Sequence, residues 1–470
     1  MELFSNKPMK KNMLSLLAIL TLAFWNSGCS QEKAAPAQPD WVPSANVYEV
    51  NLRQFSPEGN IAGFRQQIPR LKRLGVKVLW FMPIHPIGLK NRKGTLGSYY
   101  SVANYKAVNP EFGTLAEFKS MVDEIHQNDM KVLIDWVPRH TAWDNPWIKK
   151  HPEYYQKGKN GKITDPINPA TGKSWGWTDV AALDYTNEGL HDAMIEAMLF
   201  WVNQTGIDGF RVDVAGEVPV EFWRKAIPAL REANPEIFML AESEEPWLRN
   251  EGLFNMTYGW SFHHLMKDIA QGKKGIDEIE KWYKADRAKF TQGFHMHFTQ
   301  NHDENSWTGT EEELFGSAKN IMAVLACTYD GMPLVYNGQE APLTKRLEFF
   351  EHDPIQWGNV ERTGFYQSLL GIHARQKALW AGEAGGEAVR IKTNHDDKIF
   401  AFKREKDDNR VIVILNMSNE ELDVRIEDRS LDDVYRDVFM GMNLLIMENA
   451  QFHMTPWGYS IQVLVPKDMR

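Results

Sequence analysis

The chain has 470 residues, and its 53 Lys and Arg against 62 Asp and Glu give a formal net charge of −9 at pH 7. That balance excludes nucleic acid as a main partner, because phosphate binding needs a dense basic surface; 43% hydrophobic and 24% charged residues exclude a disordered chain. Two cysteines, Cys29 and Cys327, exclude a disulfide framework, and the length allows one large domain plus a smaller one, at roughly 100–250 residues each.

At the N-terminus, Lys7, Lys10 and Lys11 precede an apolar run over residues 13–25. The run is short of the roughly 20 residues that cross a bilayer but suits the core of a signal peptide. It ends in Asn26, Ser27, Gly28 and Cys29, which resembles a bacterial lipoprotein signal, with Asn26 departing from the usual aliphatic residue. The resemblance implies removal of residues 1–28 and lipidation of Cys29. Plain secretion, with Cys29 a passenger, is the alternative. Residues 29–42, rich in Ala, Pro and Gln, read as a tether. The expected location is a bacterial cell envelope, periplasmic or on the outer membrane, with the lipid anchor as the only membrane contact. Cys327 is then expected to be a buried thiol.

From residue 47 onward, short apolar runs alternate with longer amphipathic stretches. The predicted strands are 47–55, 76–83, 131–138, 206–214, 238–242, 254–260, 294–301 and 333–336, the sixth being the weakest pattern. Helical periodicity covers 61–74, 114–128, 190–204 and 220–233. Near-continuous apolar strands are those buried on both faces of a parallel sheet. Eightfold strand–helix alternation predicts an α/β fold, a (β/α)8 TIM barrel, over residues 43–384. Residues 139–189 interrupt the alternation with a Gly-, Pro- and Trp-rich stretch, expected to be a small irregular insertion after strand 3 that walls the mouth. Trp143, Trp147, Trp175 and Trp177 lie there, and at least one is a candidate for stacking on a sugar. After residue 385 short alternating strands, 398–404, 411–416, 422–426 and 460–466, predict a C-terminal antiparallel β-sandwich domain.

Barrels of this kind place working residues at the C-terminal ends of their strands. Here those ends carry Asp135 and His140, Arg211 and Asp213, Glu242, and Asn301, His302 and Asp303. Such a set suits cleavage of a glycosidic bond, in which one carboxylate attacks or stabilises an oxocarbenium-like centre and one carboxylic acid protonates the departing oxygen. Arg211 and Asp213 are two apart on a strand and share a face, so Arg211 is expected to hold Asp213 ionised, while Asp303 is expected to favour a protonated Glu242.

With those residues in place, the chain resembles the α-amylase family, glycoside hydrolase family 13. The matches run in order from Gly75 to Pro83, Ser98 to Tyr105, Asp135 to His140, Gly209 to Asp213, Glu242, Asn301 to Asp303, and Gly331 to Glu340. The resemblance implies that Asp213 is the nucleophile forming a covalent glycosyl-enzyme. It implies that Glu242 is the acid and then the base, and that Asp303 holds sugar hydroxyls and stabilises the transition state. His140 and His302 are implied to donate to hydroxyls, Arg211 to support Asp213, Tyr100 or the adjacent Tyr99 to stack beneath the sugar, and Asp135 to be structural.

The chain departs from the family pattern in three places, one of them Asn104, where many relatives have Asp. Arg139 stands where Asn often helps hold a structural calcium; a cation cannot replace an oxygen ligand, so no metal or other cofactor is expected. Val214, Ala215, Gly216 and Glu217 stand where many members have Lys-His, which leaves Glu217 either a contact to the leaving sugar or a solvated loop acid. His263, His264, His295 and His297 lack an acid at ligand spacing, so no metal site is expected there. The expected activity is retaining hydrolysis of α-1,4-glucosidic bonds in starch-derived glucans or maltooligosaccharides by a monomer, the partner being the oligo- or polysaccharide substrate. The alternatives are an α-glucan transglycosylase or a trehalose- or sucrose-directed relative, and a non-catalytic glucan-binding lipoprotein.

Overall fold

The computed structural model describes residues 38–469 apart from 169, 342, 359 and 360. Residues 1–28, Cys29 and the first part of the expected tether lie outside the described residues. Among the described residues no helix is long and apolar enough to cross a membrane.

Eight parallel strands close into a barrel: β1 (Val47–Val50), β2 (Val78–Phe81), β3 (Lys131–Trp136), β6 (Gly209–Val212), β7 (Phe238–Ala241), β8 (Met256–Tyr258), β9 (Phe294–His297) and β10 (Met332–Tyr336), with β10 hydrogen-bonded back to β1. A short antiparallel pair, β4 (His140–Ala142) and β5 (Val180–Ala182), orders the ends of the insertion after β3. Alternate residues of each strand take opposite faces. Val47, Val78, Trp80, Leu133, Phe238, Leu240, Met256 and Met296 fill the interior. Tyr48, Leu79, Phe81, Val132, Ile134 and Met239 pack outward against the helical ring. Trp41 and Val42, which the sequence places in the tether, also join the inner cluster, and the Trp41 ring meets Phe238 at 5.5 Å.

The predicted strands are longer than the observed ones, because chain leaving a barrel strand bends to form the mouth. Residues 52–55 turn into a helical turn instead of extending β1, and the weak sixth strand shortens to three residues. The helix predicted over 61–74 splits into Ile61–Arg65 and Ile68–Leu74, the second starting with Pro69 in its first turn, where its missing N–H costs nothing. The helix Leu115–Gln127 starts on a reciprocal cap between Thr114 and Glu117.

The C-terminal part is a six-stranded antiparallel sheet facing a two-stranded one. The strands are β11 (Val389–Ile391), β12 (Ile399–Lys406), β13 (Asn409–Asn416), β14 (Leu422–Arg425), β15 (Asp433–Asp437), β16 (Asn443–Ile446), β17 (Gln451–Met454) and β18 (Tyr459–Leu464). The larger sheet runs β11-β12-β13-β18-β15-β16 and the smaller pairs β14 with β17. Period-two alternation explains both contacts of the larger sheet. Phe400, Phe402, Val411 and Val413 pack onto the barrel helices, while Ile399, Ala401, Ile412 and Ile414 pack onto Leu422, Val424 and Met454. Cys327 is a free buried thiol, and burial pushes its pKa up to about 12.

Candidate active site

The top interior layer of the barrel is charged where the layers below are apolar. β1 contributes Glu49, β3 Asp135 and β6 Arg211, all fully buried. Register pairs Asp135 with Arg211 across adjacent strands. A buried charge is tolerated only with partners, and Arg211 has three. Its Nη1 lies 2.8 Å from Asp135 Oδ1 and 3.2 Å from Asp213 Oδ1, and its Nη2 lies 2.9 Å from Glu242 Oε2. Its Nε donates to the Tyr258 hydroxyl at 3.1 Å.

One guanidinium therefore serves three carboxylates, where the sequence expectation gave it Asp213 alone. Burial and the Glu242 carboxylate raise the Asp213 carboxyl well above its ordinary range, and Arg211 offsets only part of the effect. Burial also raises Asp135, to about 6, against the pull of Arg211. The Val214 N–H donates to Glu242 Oε2 at 2.9 Å. To do so Val214 adopts φ +39°, a left-handed conformation that a β-branched residue takes only under constraint, at about 1–3 kcal/mol. The backbone after Asp213 is thus strained into orienting Glu242.

A second chain of contacts starts at Glu49, whose Oε1 is 2.6 Å from His302 Nδ1. His302 Nε2 lies 2.7 Å from the Tyr100 hydroxyl and 3.3 Å from Asp303 Oδ2, and the Tyr100 hydroxyl donates to Asp135 Oδ2 at 3.0 Å. Burial alone would lower His302, but Asp303 and Glu49 outweigh it and raise the imidazole to about 9. Burial, with Arg139 beside it, lowers His140 to about 3, so His140 is neutral.

These groups open onto one cavity of about 340 Å³, lined by Tyr100, His140, Asp213, Glu242, His302 and Asp303 together with Trp177, Trp307 and Phe349. All three acids and the two histidines singled out in the sequence meet there, with Arg211 beneath them. Tyr100, not Tyr99, faces the cavity; Tyr99 is buried under the Arg53 guanidinium. Of the four insertion tryptophans Trp177 lines the cavity, with Trp175 stacked on it at 5.7 Å. Trp143 donates to the Thr178 carbonyl, and Trp147 packs on Tyr105 and Tyr154. Sequence reasoning missed Glu49, Lys93, Asp179, Trp307, Phe349 and Phe350. An acid inside the apolar strand VYEV and a Trp four residues past Asp303 were usable signals for Glu49 and Trp307. The other four carry none.

Glu217 is a paired, partly exposed acid: its Oε2 lies 3.3 Å from Arg139 Nε, and Arg139 Nη1 approaches the Leu183 carbonyl at 3.4 Å. Calcium needs oxygen ligands, six to eight of them. The place assigned to it holds a buried guanidinium already committed to a carboxylate, so the residues there do not fit that ion. Among the described residues no group of three or more His, Cys, Asp or Glu side chains is placed to hold a metal. His295 instead pairs with Asp286 at 3.0 Å and His263 with Glu304 at 3.2 Å.

The family profile of the alpha-amylase catalytic domain matches residues 19–411. Alpha-amylase 2 of Dictyoglomus thermophilum is 24% identical, over 86% of this chain and 74% of that protein. An alpha-1,4-glucan:maltose-1-phosphate maltosyltransferase of Mycolicibacterium smegmatis is 27% identical over 64% of this chain and 43% of its own length. The crystal structure of a maltogenic alpha-amylase from Thermotoga neapolitana superposes with a TM-score of 0.80 at 25% identity, covering 90% of this chain and 99% of that one.

Proposed function

The chain belongs to the α-amylase family of glycoside hydrolases, and on that footing we propose that it is a retaining hydrolase of α-1,4-glucosidic bonds in starch-derived glucans or maltooligosaccharides. Asp213 is the nucleophile and Glu242 the acid and base. The observation that carries this reading is the sharing of Arg211 by Asp213 and Glu242 at the floor of an aromatic-walled cavity. A carboxylate and a carboxylic acid on one guanidinium supply both an attacker and a proton donor. In the reactive state the proton sits on Glu242 and the charge on Asp213, with Arg211 balancing that charge. The separation suited to retention is about 5–5.5 Å.

Attack by Asp213 on the anomeric carbon displaces the leaving oxygen as Glu242 protonates it. Water, deprotonated by Glu242, then releases the sugar from Asp213. The charged His302 and the Asp303 carboxylate hold hydroxyls of the same sugar, and Tyr100 and Trp177 present ring faces to its apolar side. Proton NMR of the first product tests the stereochemistry: the α-anomer is expected, and a β-anomer would overturn the roles of the two acids. Transfer to a second sugar is the competing outcome, favoured by the likeness to a maltosyltransferase. Products longer than a maltoheptaose starting chain would identify it.

A further inference from the structure

The rim of the cavity is tied shut on one side by the segment 87–102 between β2 and the helix that follows. An isolated bridge pairs Ile87 with Val102 at its base. The Arg92 guanidinium braces it from inside, donating to the Gly88, Thr95 and Ile87 carbonyls at 2.9, 3.3 and 3.3 Å. On one flank Lys93 Nζ donates to the Gly176 carbonyl and pairs with the buried Asp179, both at 3.0 Å, which fastens the segment to the Trp177 wall. On the other flank the Leu96 N–H donates to the Phe350 carbonyl at 3.0 Å, and the Thr95 N–H donates to Glu351 Oε1 at 2.8 Å. Gly94 makes this approach possible. It sits at φ +61°, and a Cβ there would come within 2.4 Å of Phe350 Cβ.

Barrel order gives the tied rim a direction. Glu242 follows β7, the fifth barrel strand, and the strand opposite the fifth of eight is β1. The segment 87–102 follows β2 and Phe349 and Phe350 follow β10, the two neighbours of β1. The wall therefore stands across the mouth from Glu242. Because Glu242 protonates the leaving oxygen, the leaving chain departs on the Glu242 side, and the sugars kept on Asp213 extend toward the wall. A cavity of about 340 Å³ is at the small end of ligand sites, roughly 300–1,000 Å³.

We propose that the strap over residues 87–102, held by Lys93 to Asp179 and by Gly94 to Phe350, closes the non-reducing end of the substrate pocket. The enzyme then works from chain ends and releases a short saccharide. This rests on the assignment of Asp213 and Glu242 above. The experiment compares the full-length enzyme on p-nitrophenyl maltoheptaoside with a free non-reducing end and on the same compound with that end blocked by a 4,6-ethylidene group, products being sized over time. The expected result is turnover of the blocked chain at least about tenfold slower, the discrimination a walled subsite gives against one added group, with one short product size from the first time point on the free chain. In Lys93→Ala the ratio of blocked to free turnover should rise. Equal rates on the two compounds, or mixed internal fragments from the start, would overturn end action while leaving hydrolysis intact. An unchanged ratio in a folded Lys93→Ala would overturn the tie. Absence of cleavage on both compounds would overturn the catalytic assignment and this inference with it.

Discussion

Replacing Arg211 with Met tests the charge arrangement on which the site depends. The side chain is fully buried among Asp135, Asp213 and Glu242, each within 3.2 Å of its guanidinium. Methionine keeps an unbranched, apolar side chain and removes the charge. Breaking a buried ion pair from one side costs about 3–5 kcal/mol. A loss of that size alone could also come from packing, and pH separates the two causes. Arg211 lowers the proton affinity of Asp135 and of Asp213, against the larger effect of burial. Without it the folded protein keeps protons that the native protein releases, whereas both unfolded chains release theirs at ordinary carboxylate pKa values. The stability gap between native and variant protein must then widen as pH rises. Each extra proton retained by the folded variant adds about 1.4 kcal/mol per pH unit, so one proton held from pH 6 to pH 8 adds about 2.7 kcal/mol. Urea unfolding followed by tryptophan fluorescence at pH 6, 7 and 8 measures the gap. A deficit that does not change with pH would refute the electrostatic account, and no deficit at all would refute the burial of the charge.

Asp213→Asn and Glu242→Gln should each lower kcat on soluble starch by at least about a thousand-fold, with the circular dichroism spectrum unchanged; near-normal turnover in either would remove its assigned role. His302 is raised from 6.5 to about 9 in the fold, so it contributes stability that is complete below about pH 6.5 and lost as pH climbs through 9. That amounts to about 3 kcal/mol, which His302→Asn should not lose between pH 6.5 and 9.5 in urea titrations. The Arg139–Glu217 pair should make the melting temperature indifferent to EDTA, with no calcium in the purified protein by elemental analysis, whereas Arg139→Ala should cost about 1–2 kcal/mol, Glu217 being partly exposed. Cys29→Ser should abolish fatty-acid labelling and move the protein from the membrane fraction to the soluble one; equal labelling of variant and native protein would exclude lipidation at Cys29.

The barrel was legible because each parallel strand is buried on both faces, and a doubly buried strand leaves an apolar run that needs no alignment to see. Its irregularities were not. The chain bends at residue 51 because the mouth begins there, and nothing in the residues 52–55 distinguishes a helical turn from continued strand. The C-terminal sheet was legible for the opposite reason: its alternation of Phe400 and Phe402 with Ile399 and Ala401 records two different covers, the barrel helices on one side and β14 and β17 on the other.

At the site the limit of the sequence is a limit of distance along the chain. Asp213 and Arg211 sit two apart, so their contact could be inferred from strand geometry. That the same guanidinium also reaches Asp135, 76 positions away, and Glu242 could not be. For Asp213 that matters directly: one cation shared by three buried acids offsets only part of the effect of burial, which raises the Asp213 carboxyl. Glu49 shows the same limit from the other side. An acid within four otherwise apolar strand residues should have been read as a buried charge seeking a partner, and its partner, His302, lies 253 positions later. Local pattern therefore identified which side chains carry charge into the barrel. Only closure of the sheet decides how those charges are shared, and the sharing decides which carboxyl holds the proton.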